Sequence, residues 1–173
     1  MTKATGPLYQ MHFRRRRDEV TDYAARLALL KSNISRAVIR KSSRVITIQI
    51  SSFDVSGDKI VSQANSKQLI EFGFNGKCNS PSAYLVGLLA GTRAKQVGVK
   101  QVIADIGRQT STKGNVLYAA VLGLQDSGLN VPVSKEIIPS KDRVEGKHLK
   151  TASNFETSKQ KILSNVKEAK TAK

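Results

Sequence analysis

Basic and aromatic side chains near the start of the chain are its most suggestive chemical feature. Three rings, Tyr9, His12 and Phe13, stand just before four consecutive arginines, Arg14, Arg15, Arg16 and Arg17. Guanidinium groups neutralise phosphates and release the counterions condensed on a nucleic acid, while flat rings stack on unpaired bases. The pattern predicts an extended arm over residues 1–17 that binds nucleic acid. The alternative is that the arm only solubilises the protein or carries a localisation signal. The rings interleaved with the basic residues argue against that alternative.

Catalytic constellations are not supported by the spacing of the reactive residues. His12 and His148 both lie in basic flanking segments, where no apolar scaffold would hold an imidazole beside a nucleophile. The run 107–114 resembles a phosphate loop in position, but Thr112 precedes the lysine where a P-loop needs glycine. It is predicted to be a polar loop, and the alternative is a loop that donates Lys113 or Arg108 to a phosphate. Asp105 is the one acid in a predicted buried strand and is expected to be a cap or an ion-pair partner.

Composition agrees with a protein that binds a polyanion. The 173 residues include 29 Lys and Arg against 13 Asp and Glu, which gives a net charge of +16. Residues 1–44 hold 11 basic and 3 acidic side chains, residues 45–132 hold 8 and 5, and residues 133–173 hold 10 and 5. A mean hydropathy of −0.30 argues against a membrane protein, and one cysteine rules out a disulfide framework. With no secretory pattern after the arginines, an intracellular protein is expected.

The elements that would position these residues can be predicted from periodicity. Apolar residues at helical spacing predict a helix over residues 18–32, with two acids at its positive end. Residues 44–50 alternate with period two and predict a strand with an isoleucine face. A turn at 54–58 leads into a second strand at 59–64, and a third strand is expected at 68–72.

The second half of the chain alternates helices and strands. Ser80 and Pro81 predict a helix start, Gly98 a helix end, and two glycines four residues apart allow close helix packing. A strand at 100–106, a helix at 115–127 and a short edge strand at 131–133 follow. The predicted fold is α/β, a mixed sheet with helices packed on it. Its parts are the arm 1–17, an α/β domain 18–133 and a basic extension 134–173, in which Phe155, Ile162, Leu163 and Val166 predict one amphipathic helix.

Further basic and polar residues extend the candidate nucleic-acid surface beyond the arm. Some lie on the predicted first helix and others on the linker that leads into the first strand, while Thr47 and Gln49 share the strand face opposite the isoleucines. Each could be an ordinary surface side chain instead. The additional candidates are Arg26, Lys31, Arg36, Arg40, Lys41, Arg44 and Gln49.

Several segments together resemble a known family. They are Gly6–Tyr9, Phe13–Arg17, Thr21–Ser32, Arg36–Ser42, Ala83–Ala94, Ala104–Gly107, Lys113–Gly114, Asp126–Leu129, Val131–Pro132, Asp142–Arg143 and Gly146. In order and spacing they are similar to ribosomal protein L-eighteen in its archaeal form, over about residues 6–150.

The resemblance implies a non-enzymatic constituent of the cytoplasmic large ribosomal subunit. It implies that the protein binds 5S ribosomal RNA and anchors it to the large-subunit (23S-type) rRNA in the central protuberance, beside neighbouring ribosomal proteins. It also implies a sheet like that of ribonuclease H, without cofactor, metal, membrane or small-molecule substrate. RNA contacts are implied for Tyr9, Phe13, Arg14, Arg15, Arg16, Arg17, Arg26, Arg36, Arg40 and Lys41.

Two other functions remain as alternatives to this expectation. A nuclease would need clustered acids that bind two metal ions, and the strand at 44–50 carries no acid. A nonspecific nucleic-acid coat would follow from charge alone, and would bind 5S RNA and unrelated duplex DNA with comparable affinity.

Overall fold

One mixed sheet organises the protein. The computed structural model describes residues 6–149 and 154–171, with side chains up to residue 164. The strands are β1 (Ser35–Lys41), β2 (Ile46–Ser52), β3 (Lys59–Asn65) and β4 (Val102–Asp105). Their order is β3-β2-β1-β4, in which β1 pairs with β2 and β2 with β3 antiparallel, while β1 and β4 run parallel. The predicted α/β class with a mixed sheet is confirmed, and the order is consistent with a ribonuclease H-like topology.

Strand β1 corrects the prediction of a linker between the first helix and the first strand. Its side chains alternate, with Ala37 and Ile39 fully buried against the helices and Val38 and Arg40 on the opposite face. Strand β2 continues both faces, because Ile48 pairs with Ile39 and Thr47 with Arg40. The sheet therefore has an apolar face and a polar one, and β1 supplies the centre of both.

Two long helices cover the apolar face. They are α3 (Ser80–Gln96) and α4 (Val116–Asp126), close to their predicted bounds. A Cβ on Gly87 of α3 would overlap the backbone oxygen of Ala120, and a Cβ on Gly123 of α4 would overlap that of Tyr84. The helices thus touch backbone to backbone, as the two spaced glycines of α3 predicted.

Local chemistry corrects three further predictions. The side chain of Asn79, not Ser80, caps α3 by accepting from the Ser82 amide at 3.0 Å. Ser66–Phe72 forms a 3₁₀ helix rather than a third strand, because Asn65 begins it with a reciprocal side-chain cap. Residues 131–133 form no strand, and only an isolated bridge joins Gln101 to Asn130 nearby.

The run of arginines is helical, which corrects the prediction of an extended arm at these positions. The Phe13 oxygen accepts from the Arg16 amide at 3.0 Å and from the Arg17 amide at 2.9 Å, and these bonds close one turn of helix. The turn is α1, and it comprises Arg14, Arg15, Arg16 and Arg17. The arm is therefore helical, not extended, over Arg14–Arg17. Residues 9–13 form neither helix nor strand.

The next helix is shorter than predicted. It is α2, which spans Tyr23–Leu30, and the Asp22 side chain caps it by accepting from the Ala25 amide at 3.0 Å. Glu19 adopts a positive φ of 53° between α1 and α2, which breaks the continuous helix that the periodicity predicted.

The C-terminal extension contains α5 (Lys141–Glu145) and α6 (Phe155–Thr171). As predicted, α6 is amphipathic, and Phe155 and Ile162 are buried against the body. Phe155 packs on Tyr84 of α3 with ring centroids 5.5 Å apart. Leu163 is partly exposed, and the Val166 side chain lies outside the described residues. The division into arm, domain and extension stays a prediction.

Strand β3 lies at one edge of the sheet and pairs only with β2 within the described residues. The backbone oxygen of Gln63 on this strand accepts a hydrogen bond from Arg93 Nη1 of α3 at 2.7 Å. One backbone group of the edge is therefore occupied by a side chain of the same molecule. Among the helices of the described chain, none has the length and apolar character needed to cross a membrane.

Candidate nucleic-acid interface

The arm forms a compact cationic surface. Its four arginines, Arg14, Arg15, Arg16 and Arg17, are all exposed. Within the described residues only Arg17 contacts a carboxylate, that of Asp18 at 3.7 Å. Phe13 is 91% exposed and Tyr9 43% exposed, so both rings are accessible to a ligand. These exposed groups follow one another within residues 9–17, and their chemistry suits phosphates and bases.

Hydrogen bonds fix this arm to the chain that follows. Arg15 Nη2 donates to Thr21 Oγ1 at 2.8 Å, and the Val20 amide donates to the Arg15 oxygen at 3.0 Å. Arg108, in the loop after β4, donates to Glu19 Oε2 at 2.9 Å. The arm is thus tied to α2 and to the sheet through polar contacts.

Helix α2 carries its own exposed groups. None of its eight residues, all of which the structure describes, is buried, and Tyr23 and Leu27 are about half exposed. Arg26 points toward the sheet and donates from Nη2 to Asp58 Oδ2 at 2.8 Å. Lys31, which follows the helix as its C-cap, is exposed.

The polar face of the sheet is accessible to solvent at strand β2. Thr47 and Gln49 of β2 are partly exposed on this face, as their alternation with the isoleucines predicted. Gln49 Nε2 donates to Gln63 Oε1 on β3 at 3.2 Å, so the two amides form one polar row across the strands. This surface has hydrogen-bonding groups suited to sugars and phosphates.

Arg36 departs from the predicted interface. Its side chain is 2% exposed, and it donates from Nη1 to Asp105 Oδ2 at 2.9 Å and from Nη2 to Asp58 Oδ2 at 2.5 Å. A strand places it under the polar face, whereas a linker would have left it in solvent. The structure therefore places the Arg36 side chain in the interior of an ion-pair network, where it is almost inaccessible to a ligand.

Arg40 occupies the other side of the same network. It donates from Nη2 to Asp105 Oδ1 at 3.1 Å and from Nη1 to the Asp105 backbone oxygen at 2.8 Å. Gly107, with a φ of 61°, makes room for it, because a Cβ there would lie 2.9 Å from Arg40 Cζ. The prediction that Asp105 is an ion-pair partner is confirmed.

A groove of about 810 Å³ separates α2 from the end of β4. Its walls bring together side chains distant in sequence, and four of them are arginines, namely Arg15, Arg26, Arg40 and Arg108. Two carboxylates, those of Asp22 and Asp105, also line it. The groove is basic on balance and therefore suited to an anionic group.

The remaining predicted contacts are exposed but are not gathered into the groove. His12 and Arg16 lie in the arm, Lys41 at the end of β1, and Arg44 in the turn between β1 and β2. Gln109 Nε2 donates to the Lys41 backbone oxygen at 3.2 Å, which ties that turn to the loop after β4. These exposed side chains enlarge the cationic surface at its margin.

Burial is the largest cause of a raised pKa at two groups outside the groove, Tyr84 and Cys78. Burial, reinforced by the hydrogen bond that Tyr84 Oη donates to Asp126 at 2.7 Å, raises the pKa of Tyr84. Burial also raises the pKa of the Cys78 thiol, and the charge of Lys41 opposes that shift. No three side chains of His, Cys, Asp or Glu come together as a metal site within the described residues.

Sequence reasoning missed Asp58 as part of this surface, and it did not foresee that Glu19 pairs with Arg108. Their positions in turns gave no periodic signal, and each meets a partner at least 22 residues away. The strand β1 could have been found, because residues 35–41 alternate with period two. Recognising it would have predicted that Arg36 and Arg40 share one face.

Comparison with known proteins identifies the family. The model of the ribosomal large subunit proteins 60S L5 and 50S L18 matches residues 8–102. A large ribosomal subunit protein uL18 from Korarchaeum cryptofilum is 50% identical over 143 residues, which cover 82% of this chain and 73% of that protein. The uL18 protein of Methanococcoides burtonii is 44% identical over 168 residues, 92% of this chain and 97% of that protein. With its cationic surface and mixed sheet, this chain belongs to the family of ribosomal large subunit proteins that comprises 60S L5 and 50S L18.

Proposed function

We propose that this protein is a structural, non-enzymatic constituent of the large ribosomal subunit in the cytoplasm. In this proposal it binds 5S rRNA and anchors it to the large-subunit rRNA in the central protuberance, in contact with neighbouring ribosomal proteins. Family membership supports the ribosomal role. The choice of 5S rRNA rests on the resemblance together with the character of the arm and the polar sheet face.

The observation that carries the proposal is the helical turn of arginines beside two exposed rings. Arg14 to Arg17 spread around one turn of helix, so their guanidinium groups diverge and can reach phosphates on more than one strand. Phe13 is almost fully exposed, and this contact of an apolar ring with water is unfavourable unless a base or another apolar group covers the ring. Folded RNA offers both partners, since its loops splay out unpaired bases between phosphates.

The mechanism we propose divides recognition between two surfaces. The arm neutralises phosphates and stacks Phe13 or Tyr9 on a base, which supplies affinity and orientation. The polar face of the sheet, with Thr47 and Gln49, then contacts sugar hydroxyls and phosphates across a groove of the RNA. Basic residues outside these surfaces remain for the large-subunit rRNA.

Binding of purified 5S rRNA across a series of salt concentrations tests the proposal. Replacing Arg14, Arg15, Arg16 and Arg17 together by alanine removes up to four phosphate contacts. Each lost contact should lower the slope of log affinity against log salt by roughly 0.7 to 0.9. We therefore expect weaker binding at low salt and a distinctly flatter slope.

A matched variant controls for the loss of four charges. Lys67, Lys100, Lys135 and Lys141 are exposed and lie outside the arm and the groove, and their joint replacement by alanine removes the same charge. Its slope should stay near that of the unaltered protein. An arm variant with the slope of the control would contradict the proposal, as would equal affinity of the unaltered protein for 5S rRNA and duplex DNA.

A further inference from the structure

A chain of alternating charges crosses the polar face of the sheet. Asp58 Oδ2 accepts from Arg26 Nη2 at 2.8 Å and from Arg36 Nη2 at 2.5 Å. Arg36 Nη1 in turn donates to Asp105 Oδ2 at 2.9 Å, and Asp105 Oδ1 accepts from Arg40 Nη2 at 3.1 Å. Three arginines and two carboxylates thus form one connected network from α2, through the turn before β3, to β1 and β4.

Burial is graded along this network. Arg36 at its centre is 2% exposed and Asp105 is 8% exposed, whereas Arg26 and Arg40 at its ends are 36% and 46% exposed. Both end residues line the groove between α2 and β4. The centre of the network is therefore fixed by burial, and its two ends present guanidinium groups to one groove.

A free arginine on a surface samples many rotamers and loses that freedom when it binds. Arg26 and Arg40 are already held, each by a carboxylate that engages only part of its fork of five N–H donors. Arg40 is fixed further by the Ile39 oxygen at 2.9 Å and by the space that Gly107 leaves. Donors not used in these contacts remain available to an anion in the groove that both side chains line.

We infer that Asp58 and Asp105, coupled through Arg36, are positioning residues that hold Arg26 and Arg40 as a clamp for one RNA phosphate in this groove. The inference rests on the proposed function, since it names the anion as a phosphodiester of the bound RNA. It assigns two acidic residues a favourable role in binding a polyanion. That sign separates it from general electrostatics, in which removal of any nearby negative charge strengthens RNA binding.

The test replaces Asp58 by asparagine and measures 5S rRNA affinity across a salt series. Loss of the positioning carboxylate should weaken binding by about tenfold, because coupled charged contacts contribute on that scale. It should also flatten the salt slope by about one phosphate contact. The matched control is Asp54→Asn in the same turn, which removes an equal charge from a residue paired with Lys59 and outside the network. The control should bind as tightly as the unaltered protein or more tightly.

A double-substitution cycle distinguishes positioning from a general effect on the fold. Because Asp58 contacts Arg26 directly and Arg40 only through Arg36 and Asp105, Asp58→Asn should cost much less affinity once Arg26→Gln is present than it costs alone. Additive losses in the cycle would overturn the inference. So would an Asp58→Asn variant that binds RNA as tightly as the Asp54→Asn control.

A second variant keeps the inference testable if Asp58→Asn does not fold. Arg26→Lys preserves the charge but removes the fork, and should weaken binding about fivefold. Arg143→Lys, a change of the same kind at an exposed residue of α5 outside the arm and the groove, should stay within about twofold of the unaltered protein. Equal affinities of these two variants would overturn the clamp. Failure of the unaltered protein to bind 5S rRNA would instead overturn the proposed function.

Discussion

Helices α2 and α3 are attached to the same sheet by different forces. Fourteen residues of α3 are buried, and its glycines bring it into backbone contact with α4. No residue of α2, which the structure describes throughout, is buried, and its clearest tie to the sheet is the Arg26–Asp58 ion pair. One helix belongs to the apolar core and the other lies on an ionic surface.

The difference separates stability from recognition within a small protein. Apolar burial is almost indifferent to salt and to charged ligands, so the core keeps its geometry in any ionic surroundings. Ion pairs at a surface weaken as salt rises and exchange partners when a phosphate approaches. The elements that we propose meet RNA are thus the ones whose attachments an RNA can replace.

The sharpest test of this contrast is the same substitution in both helices. Leu85 of α3 is fully buried and Leu27 of α2 is 57% exposed. Leu85→Ala should lower the free energy of unfolding by roughly 2–5 kcal/mol, because it leaves a cavity in the apolar core. Leu27→Ala should change it by no more than about 0.5 kcal/mol. Denaturant titration measures both, and comparable losses would mean that α2 is part of the core.

Alkaline pH should destabilise the apolar core through Tyr84 of α3. The raised pKa of Tyr84, caused first by burial and then by its hydrogen bond to Asp126, keeps the phenol protonated in the folded state. The unfolded chain ionises near the ordinary value of 10.0 and then binds fewer protons than the folded protein. The contribution of Tyr84 to the free energy of unfolding is therefore fully present below pH 10. Above pH 10 it falls by at most about 1.4 kcal/mol per pH unit.

Tyr84→Phe isolates that contribution from the ionisation of lysines in the same pH range. The variant should lose less stability between pH 10 and pH 11 than the unaltered protein, as measured by denaturant midpoints. Identical pH profiles would show that Tyr84 ionises equally in both states. Over the same pH range, the amide-exchange protection of α2 should change equally in Tyr84→Phe and in the unaltered protein.

Salt should produce the smallest and most local effect. Raising sodium chloride from about 0.1 M to 1 M shortens the screening length from about 10 Å to 3 Å. Exposed ion pairs such as Arg108–Glu19 contribute only about 0–1 kcal/mol each, so amide exchange should quicken a few-fold around the arm and α2. Protection in α3 should hold. Mass spectrometry follows the exchange of both helices. An equal increase of the amide exchange rate in α2 and α3 would refute the distinction between the ionic and the apolar attachment.

Strands β2 and β3 and the core helices were predicted from the sequence because burial imposes periodicity, whereas β1 alternates in the same way and was missed. Alternation gave Ile46 to Ile50 and helical spacing gave α3 and α4 nearly to their ends. The errors lie where local hydrogen bonds override periodicity. Asn65 begins a helix where apolar residues suggested a strand, and Glu19 interrupts the helix expected to start at residue 18. The amides of Arg16 and Arg17 close a helical turn where an extended arm was expected.

The candidate site was less accessible to sequence reasoning. A cluster of arginines in a sequence predicts an exposed cationic surface, and Arg14 to Arg17 are indeed exposed. Burial of Arg36 depends on Asp58 and Asp105, which are 22 and 69 residues away, and no local pattern announces such partners. Charge in a sequence therefore indicates a nucleic-acid surface, while pairing in three dimensions decides which charges face outward.

The bond from Arg93 to the Gln63 carbonyl has a consequence for the protein before assembly. An edge strand offers unpaired backbone groups to any other extended chain, and that is a common route to aggregation. Arg93 engages one of these groups on β3, and the charge of Lys59 stands at the start of the same strand. Together they oppose sheet-to-sheet growth between copies and so favour a dispersed state of the free protein.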